Sequence, residues 1–267
     1  MQRYFDHHSL LREVVSHRLT ALSGPRALLV MAAHPVAFAG FFAHTGALDE
    51  PYQRLARTAQ VMDTITFGEA AEAERATRIV RAMHHRVSGE LAEPAGRFPA
   101  GTPYRADDPA LLLWILSTLV DSALVVYQRY VGSLSHAERD AYWRDYRVIG
   151  RLFGLADHEM PATIDDFDAY WRGMLRSDDL FVGDEARALA IQIVLRPPVP
   201  LLARPLLELA NQITIGLLPG RVRRMYGLRW DPLRGLALRG GAEYAKRILV
   251  PLLPDRVRLV SSARATA

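Results

Sequence analysis

The fold is decided by residues 108–126, which read DPALLLWILSTLVDSALVV. Asp108 is a favourable N-cap and Pro109 suits the first helical turn, so a helix is predicted to begin here. The apolar run approaches the length of a membrane span, yet it contains a carboxylate, Asp121, and three hydroxyl side chains. We therefore expect a buried core helix that carries a polar stripe.

Most other segments also have the patterns of helices. A capping box at Ser135-x-x-Glu138 predicts a helix start, and Gly154 is placed to end that helix. Thr163-Ile164-Asp165-Asp166 predicts another start, with acidic residues in the first turn where the helix dipole favours them. Alternation of apolar and polar residues is short and scattered, which argues against a sheet. The sequence predicts an all-α fold in which residues 1–267 form one domain of many helices.

The composition of the 267 residues excludes several kinds of site. With no cysteine, the chain has no disulfide, thiolate nucleophile, iron–sulfur cluster or thiolate-bound haem. Lys246 is the only lysine, which argues against Schiff-base chemistry and a P-loop. A formal net charge of +4 is modest for this length, and the arginines alternate with acidic residues, so no nucleic-acid partner is expected.

The two ends of the chain bear on location and partners. The N-terminal residues lack the basic-then-apolar order of a secretory signal, so a cytoplasmic protein is expected. From Arg221 onward, arginines cluster around Tyr226-Gly227-Leu228-Arg229-Trp230. This basic C-terminal region is typical of an ordinary solvated face, with a contact surface for anionic lipid headgroups or an acidic partner as the alternative.

The motif Arg54-x-x-Arg57-Thr58 is the first candidate for chemistry. If residues 51–65 are helical, Arg54 and Thr58 share a face with Val61 and Ile65, and Arg57 lies one step to the side. An arginine on a core-facing stripe needs a carboxylate or a bound anion as its partner. The alternative is an ordinary ion pair at the edge of a surface helix.

A histidine pair follows on the next predicted helix. The helical wheel places His84 beside an inward stripe that includes Val80 and Met83, and it places His85 on the outward side. His84 is therefore the candidate metal ligand, with a hydrogen-bonded core histidine as the alternative reading. The sequence leaves His34 and His44 open as alternative ligands.

The polar stripe of the long helix supplies a third element. Trp114, Thr118 and Asp121 are spaced four and three residues apart and therefore align on one face. A buried carboxylate requires a cation, so we expect Asp121 to pair with Arg54, Arg57 or Arg81 and to organise the pocket.

In their order and spacing, these motifs resemble the MpaB-like oxygenase family, which includes the latex-clearing rubber oxygenases. The matching segments cover most of the chain. They are His34-Pro35 with Gly40 and His44-Thr45, Arg54-x-x-Arg57-Thr58, Phe67-Gly68, Val80 to His84, Val87-Ser88-Gly89, Tyr104 to Pro109, Trp114 with Thr118 to Ser122, Leu217-Leu218-Pro219, and Tyr226-Gly227-Leu228.

The resemblance implies an all-α domain around buried b-type haem. It places His84 as the axial iron ligand and Arg54, Arg57 and Thr58 on the distal side, where they would act in catalysis. We further expect Arg54, Arg81, Trp114 and Asp121 to contact the cofactor. The implied reaction uses O2 to oxidise or cleave a hydrophobic, isoprenoid-type substrate.

Two positions depart from the family pattern. The latex-clearing motif has lysine where this chain has Arg57, and arginine stays protonated and cannot bind iron, so an open iron site is expected. Leu116 stands where many relatives have histidine. That second departure keeps a non-catalytic protein that binds haem or an apolar ligand as an alternative, beside a cofactor-free helical interaction protein.

Overall fold

The computed structural model describes residues 2–43 and 51–265 and consists mainly of helices. The α-helices are α1 (Leu10–Ser16), α2 (Ser23–Met31), α3 (Pro35–Ala43), α4 (Pro51–Phe67), α5 (Ala70–His84), α6 (Pro109–Tyr130), α7 (His136–Phe153), α8 (Ile164–Arg176), α9 (Asp184–Leu195), α10 (Arg204–Leu217), α11 (Gly220–Met225), α12 (Pro232–Tyr244), α13 (Val250–Leu252), α14 (Asp255–Arg258) and α15 (Ser261–Ala265). Short 3-10 segments span Arg18–Leu22, Asp157–Glu159 and Leu201–Ala203. The predicted all-α fold is confirmed.

Helix α6 runs through the core. Among the described helices it alone is long and apolar enough to cross a bilayer, but 72% of its most apolar window is buried inside the protein. Asp108 caps it by accepting hydrogen bonds from the backbone N–H groups of Ala110 and Leu111. The predicted core helix and its start are both confirmed.

Aromatic side chains fill the space between α6 and its neighbours. The indole of Trp114 is fully buried and stacks on that of Trp171 in α8, with ring centroids 5.5 Å apart. The ring centroid of Phe167 lies 4.7 Å from that of Trp143 in α7, and the Phe167 ring also stacks on Trp171. Offset aromatic pairs of this kind add to the stabilisation that burial alone provides, and here they join α6, α7 and α8 into one core.

The helix ends follow the predicted capping signals. Ser135 and Thr163 each begin a helix through a capping box, at α7 and α8 respectively. Gly154 ends α7 with φ of 103°, in the left-handed region that glycine adopts without strain. Local hydrogen bonding therefore fixes where these helices start and stop.

A small antiparallel sheet was not predicted. Strands β1 (Ser88–Glu90) and β2 (Pro103–Arg105) pair so that Gly89 lies opposite Tyr104. A Cβ atom at Gly89 would lie 2.6 Å from the Tyr104 hydroxyl oxygen, so the buried tyrosine needs glycine at this position. Strands of three residues are too short to show the alternation that identifies a strand in a sequence.

The expected partner of Asp121 was wrong. Its Oδ2 atom lies 2.6 Å from Nη2 of Arg26, and neither Arg54, Arg57 nor Arg81 fills that role. The reason is the helix arrangement, because α2 is the main neighbour of α6, whereas α4 and α5 pack chiefly on each other and on α1 and α7. Arg26 also donates to Ser122 Oγ at 2.6 Å and to the Leu217 carbonyl at 2.8 Å.

Candidate functional site

The candidate site lies at one end of a helical hairpin formed by α4 and α5. Only Gly68 and Glu69 separate the two helices, so they run antiparallel. A Cβ atom at Gly68 would lie 2.5 Å from the Thr64 carbonyl oxygen, and this tight turn therefore requires glycine. Because the helices have similar lengths, Arg54 near the start of α4 and His84 at the end of α5 lie at the same end of the hairpin.

His84 lies on the inward face of α5, as predicted. Ala73 and Thr77 are buried on this face, Val80 and His84 continue it as half-buried residues, and His85 is exposed. Met83, which was expected to point inward, is 49% exposed. The buried face of α5 is narrower than the sequence suggested, since it follows Ala73, Thr77 and His84 at helical spacing.

The imidazole of His84 is in an unusual electrostatic environment. Burial, followed by the positive charge of Arg54, lowers the pKa of His84 below its ordinary value, and Asp107 opposes this shift. The Nδ1 atom is shielded from solvent and finds no hydrogen-bond partner among the described residues. A neutral imidazole with an unengaged buried nitrogen can accept a proton or bind a metal.

Within the arginine motif, Arg54 differs from its two neighbours. Its side chain is half-buried, and burial lowers its pKa. The side chains of Arg57 and Thr58 are exposed: Arg57 donates to Gln53 Oε1 at 3.3 Å, and Thr58 donates to the Arg54 carbonyl at 3.0 Å. The inward position expected for Thr58 was wrong, because α4 becomes closely packed only from Val61 onward.

The other three expected cofactor contacts have surroundings of their own. Arg81 precedes His84 by three residues on α5 but is exposed, and its guanidinium lies beside Gly154 at the end of α7. Trp114 donates its indole N–H to the Met31 carbonyl at 3.2 Å within the core. Asp121 pairs with Arg26. Of the predicted site residues, the structure thus brings Arg54 and His84 together.

His34 is the alternative ligand that the structure describes. It is 7% exposed, and its ring lies 5.6 Å from Phe98 and 6.1 Å from Trp114. Its Nδ1 atom accepts a hydrogen bond from the backbone N–H of Ala37 at 3.3 Å, where it caps α3. Burial lowers its pKa. The hydrogen bond gives His34 a structural role that His84 Nδ1 lacks. His44 lies outside the described residues.

The donor set limits what could be bound. No group of three or more His, Asp or Glu side chains with metal-binding geometry occurs in the described part of the chain. A bare metal ion generally needs three or four protein ligands, whereas haem supplies four nitrogens of its own and needs one axial side chain. One half-buried histidine with a shielded ring nitrogen, beside one arginine, is a donor set that suits haem, because the arginine can also pair with a propionate.

An open depression of about 470 Å³ lies at the other end of the hairpin. It is lined by Asp63, Thr64, Phe67, Gly68, Glu72, Arg75 and Ser262. None of the predicted site residues lies in it. The α4–α5 turn lines this depression, and the hydroxyl of Ser262 in α15 donates to Asp63 Oδ2 at 2.9 Å.

Comparison with known families identifies the domain. Residues 12–247 match the catalytic domain described as ER-bound oxygenase mpaB/B'/Rubber oxygenase. The chain belongs to this family. The matched residues cover α2 to α12 and include both Arg54 and His84. The resemblance that the ordered motifs predicted is confirmed, and the domain is an oxygenase catalytic domain in general terms.

Two curated relatives are similar to this oxygenase-family chain. They are uncharacterized proteins of Mycobacterium bovis and Mycobacterium tuberculosis, and each is 25% identical over 183 residues, which is 68% of this chain and 68% of the relative. No solved structure matches the chain.

Leu116 lies within the matched residues, at the position where the sequence resemblance predicts a histidine. Leu116 is 6% exposed, and its side chain reaches the buried backbone of α7, where a Cβ atom at Gly150 would lie 3.3 Å from Leu116 Cδ2. Met160 and Leu155 also border Gly150. In this chain, position 116 therefore serves apolar packing between α6 and α7.

Two structural features were not predicted from the sequence. Arg26, which neutralises Asp121, lies in an otherwise apolar segment, and that isolated charge was the available signal. Tyr104, whose ring fits against Gly89 and Gly40, had no signal beyond its place in the family motif.

Proposed function

We propose that this protein is a haem b-dependent oxygenase that uses O2 to oxidise or cleave a hydrophobic substrate. One observation carries the haem assignment: His84, which the sequence resemblance predicts as the axial ligand, has a buried Nδ1 atom with no hydrogen-bond partner among the described residues. Membership in an oxygenase family supports the reaction class. An isoprenoid-type substrate is inferred from the family alone.

The residues present suit haem in three ways. His84 would bind the iron, and its lowered pKa keeps the imidazole neutral and its lone pair available at neutral pH. Arg54 would hold a haem carboxylate or a polar group near the iron, since guanidinium groups bind carboxylates in a bidentate manner. When bound, haem supplies the iron centre at which O2 is activated.

Arg57 and Thr58 have a more distant role in this proposal. Both side chains are exposed on α4, close in sequence to Arg54, where they are free to contact a substrate that approaches Arg54. Arg57 cannot replace the coordinating lysine of the latex-clearing relatives, because its guanidinium stays protonated. The iron would therefore keep one position open to O2, and added imidazole should shift the Soret band.

The test of haem binding is an absorbance spectrum of the protein expressed with ample haem. We expect a Soret band that His84→Ala abolishes and that His85→Ala leaves intact, since His85 is the exposed neighbour on the same helix. A colourless wild-type protein would overturn the proposal. A band lost in His34→Ala but kept in His84→Ala would transfer the ligand role to His34.

A second candidate function is a haem protein without oxygenase activity, which the buried leucine at position 116 favours. The two candidates differ in one measurement. An oxygenase should consume O2 when a polyene such as a short polyisoprene is added to the reduced haem protein, and a binding protein should not. Circular dichroism of each variant checks that loss of haem or activity does not reflect unfolding.

A further inference from the structure

Exposed apolar side chains are concentrated in the last quarter of the chain. Of the seventeen large hydrophobic residues that are exposed in the described structure, twelve lie between residues 201 and 257. They are Leu201, Leu202, Leu206, Leu209, Leu233, Leu236, Tyr244, Ile248, Leu249, Leu252, Leu253 and Val257. Isolated exposed leucines are common, but an accumulation of this kind marks an interaction surface.

Many of these side chains recur on one face of a long helix. Helix α12 continues through a π-helical turn, Ala245–Leu249, into α13, so residues 232–252 form one continuous helical segment. Leu233, Leu236, Tyr244, Ile248 and Leu252 follow one another at multiples of three or four residues, the spacing of a single face. Ala242 and Val250 are buried on the other side. The segment is amphipathic with an apolar face toward solvent.

A second apolar strip lies on the neighbouring helix. Leu202 is 97% exposed, Leu206 is 70% exposed and Leu209 is 57% exposed, and they span the start of α10. Helix α10 packs against α12, where a Cβ atom at Gly216 would touch Leu238. The two strips therefore belong to adjoining helices at the C-terminal side of the domain. We call the exposed apolar side chains of these two strips the leucine surface. It consists of Leu202, Leu206, Leu209, Leu233, Leu236, Tyr244, Ile248 and Leu252.

The charge of the same region is strongly positive. Residues 196–258 contain twelve basic and four acidic residues, a net charge of +8, whereas the remainder of the chain carries −4. Arg204, Arg229, Arg239 and Arg256 are exposed, and they form no ion pair with a described residue. These four arginines therefore add unneutralised positive charge to the region, whereas Arg234, Arg247 and Arg258 pair with Asp231, Glu243 and Asp255.

We propose that the leucine surface binds the protein to a lipid bilayer that contains anionic headgroups. Apolar side chains can enter the boundary between headgroups and acyl chains, while the arginines contact lipid phosphates and carboxylates. A second copy of the chain is a poorer occupant, because two regions of charge +8 would repel each other. Complementary charge selects the anionic bilayer.

The test uses the whole protein and vesicles in a flotation assay. One set contains phosphatidylcholine only, and in the other phosphatidylserine replaces about a third of it, which gives the negative surface potential that attracts basic segments. We expect the wild type to float with the anionic vesicles, to bind phosphatidylcholine weakly, and to lose binding as salt concentration rises.

Three variants separate binding through the leucine surface from non-specific hydrophobic adsorption. Leu233→Ser with Leu252→Ser removes side chains that are 78% and 77% exposed, and should lower binding about tenfold or more. Ile79→Ser removes a side chain that is 71% exposed on α5 and should bind as the wild type does. Arg239→Gln with Arg256→Gln should reduce the preference for anionic vesicles.

Several results would overturn the proposal. They are absence of wild-type binding, equal binding to both vesicle types, and unchanged binding of the double serine variant. A wild-type dimer that the double serine variant converts to monomer would assign the leucine surface to self-association. The proposal is independent of haem, because haem content is read from the Soret band, and loss of either property leaves the other measurable. Thermal melting confirms that each variant is folded.

Discussion

Arg26 and Asp121 form an ion pair that joins α2 to α6 inside the domain. The Nη2 and Oδ2 atoms are 2.6 Å apart, and the side chains are 4% and 16% exposed. The remaining guanidinium nitrogens donate to Ser122 and to the Leu217 carbonyl, so this one arginine links α2, α6 and α10. Removing either charge would leave the other buried without its partner.

Replacing Asp121 with asparagine should lower the free energy of unfolding by about 3–5 kcal/mol, the usual cost of a buried charge left unpaired. Urea denaturation measures it. The control, Asp165→Asn, alters a carboxylate that is 75% exposed and should cost less than about 1 kcal/mol. Replacing both partners, Arg26→Met with Asp121→Leu, should recover part of the loss. If Asp121→Asn lowered the free energy of unfolding as little as Asp165→Asn does, the ion pair between Arg26 and Asp121 would not stabilise the fold.

Stability of the haem-free protein should fall as the pH is lowered from 7 to 5. Burial lowers the pKa of His84 in the folded protein, so the unfolded chain takes up a proton first as the pH drops below about 6.5. His17 and His34 act in the same direction. His84→Gln should flatten the pH dependence by at most about 1.4 kcal/mol per pH unit, the limit for one proton. Denaturation at several pH values measures this slope, and exposed His158→Gln should leave it unchanged.

In the haem-free protein, replacing Arg54 with methionine should raise the pKa of His84. The positive charge of Arg54 disfavours a second positive charge on the imidazole, and its removal relieves that repulsion. The pKa should still remain below its ordinary value, because burial is the larger cause. Histidine ring signals followed by NMR during a pH titration give the value. Arg57→Met, which changes an exposed side chain on the same helix, should have no effect. An identical His84 titration in both variants would disprove the proximity.

Introducing the family histidine at position 116 should destabilise this chain. Leu116 fits against Gly150 in apolar surroundings, so an imidazole there would be buried without a hydrogen-bond partner. This should lower the free energy of unfolding by about 1–3 kcal/mol. Leu116→Met keeps an apolar side chain of similar volume and should cost less than about 1.5 kcal/mol. Thermal melting compares the two. A histidine variant as stable as the methionine variant would show that position 116 tolerates a polar group.

Features governed by neighbouring residues were predictable from the sequence. The starts of α6, α7 and α8 depend on caps within three residues, and the inward position of His84 depends on helical spacing within α5. The pairing of Asp121 was not predictable in this way. It depends on which helix packs beside α6, and α2 lies far away along the chain.

Exposure was also difficult to predict from pattern alone. The leucines of α10 and α12 recur at the helical period, which normally indicates a face turned toward the core. Only the three-dimensional arrangement shows that the inward sides of these helices are already occupied by residues such as Asn211, Thr214 and Ala242. Likewise, Thr58 and Met83 have suitable spacing for burial, but the first half of α4 and the end of α5 extend beyond the closely packed core.

The stacked indoles of Trp114 and Trp171 also give the core an optical signature. Two rings 5.5 Å apart and inclined by 22° lie in an asymmetric, rigid environment, which produces signals in near-ultraviolet circular dichroism. The signal depends on α6 and α8 keeping their contact, whereas far-ultraviolet ellipticity depends only on the helices themselves. A variant that keeps the far-ultraviolet signal but loses the near-ultraviolet signal has therefore retained its helices and lost the packing between α6 and α8.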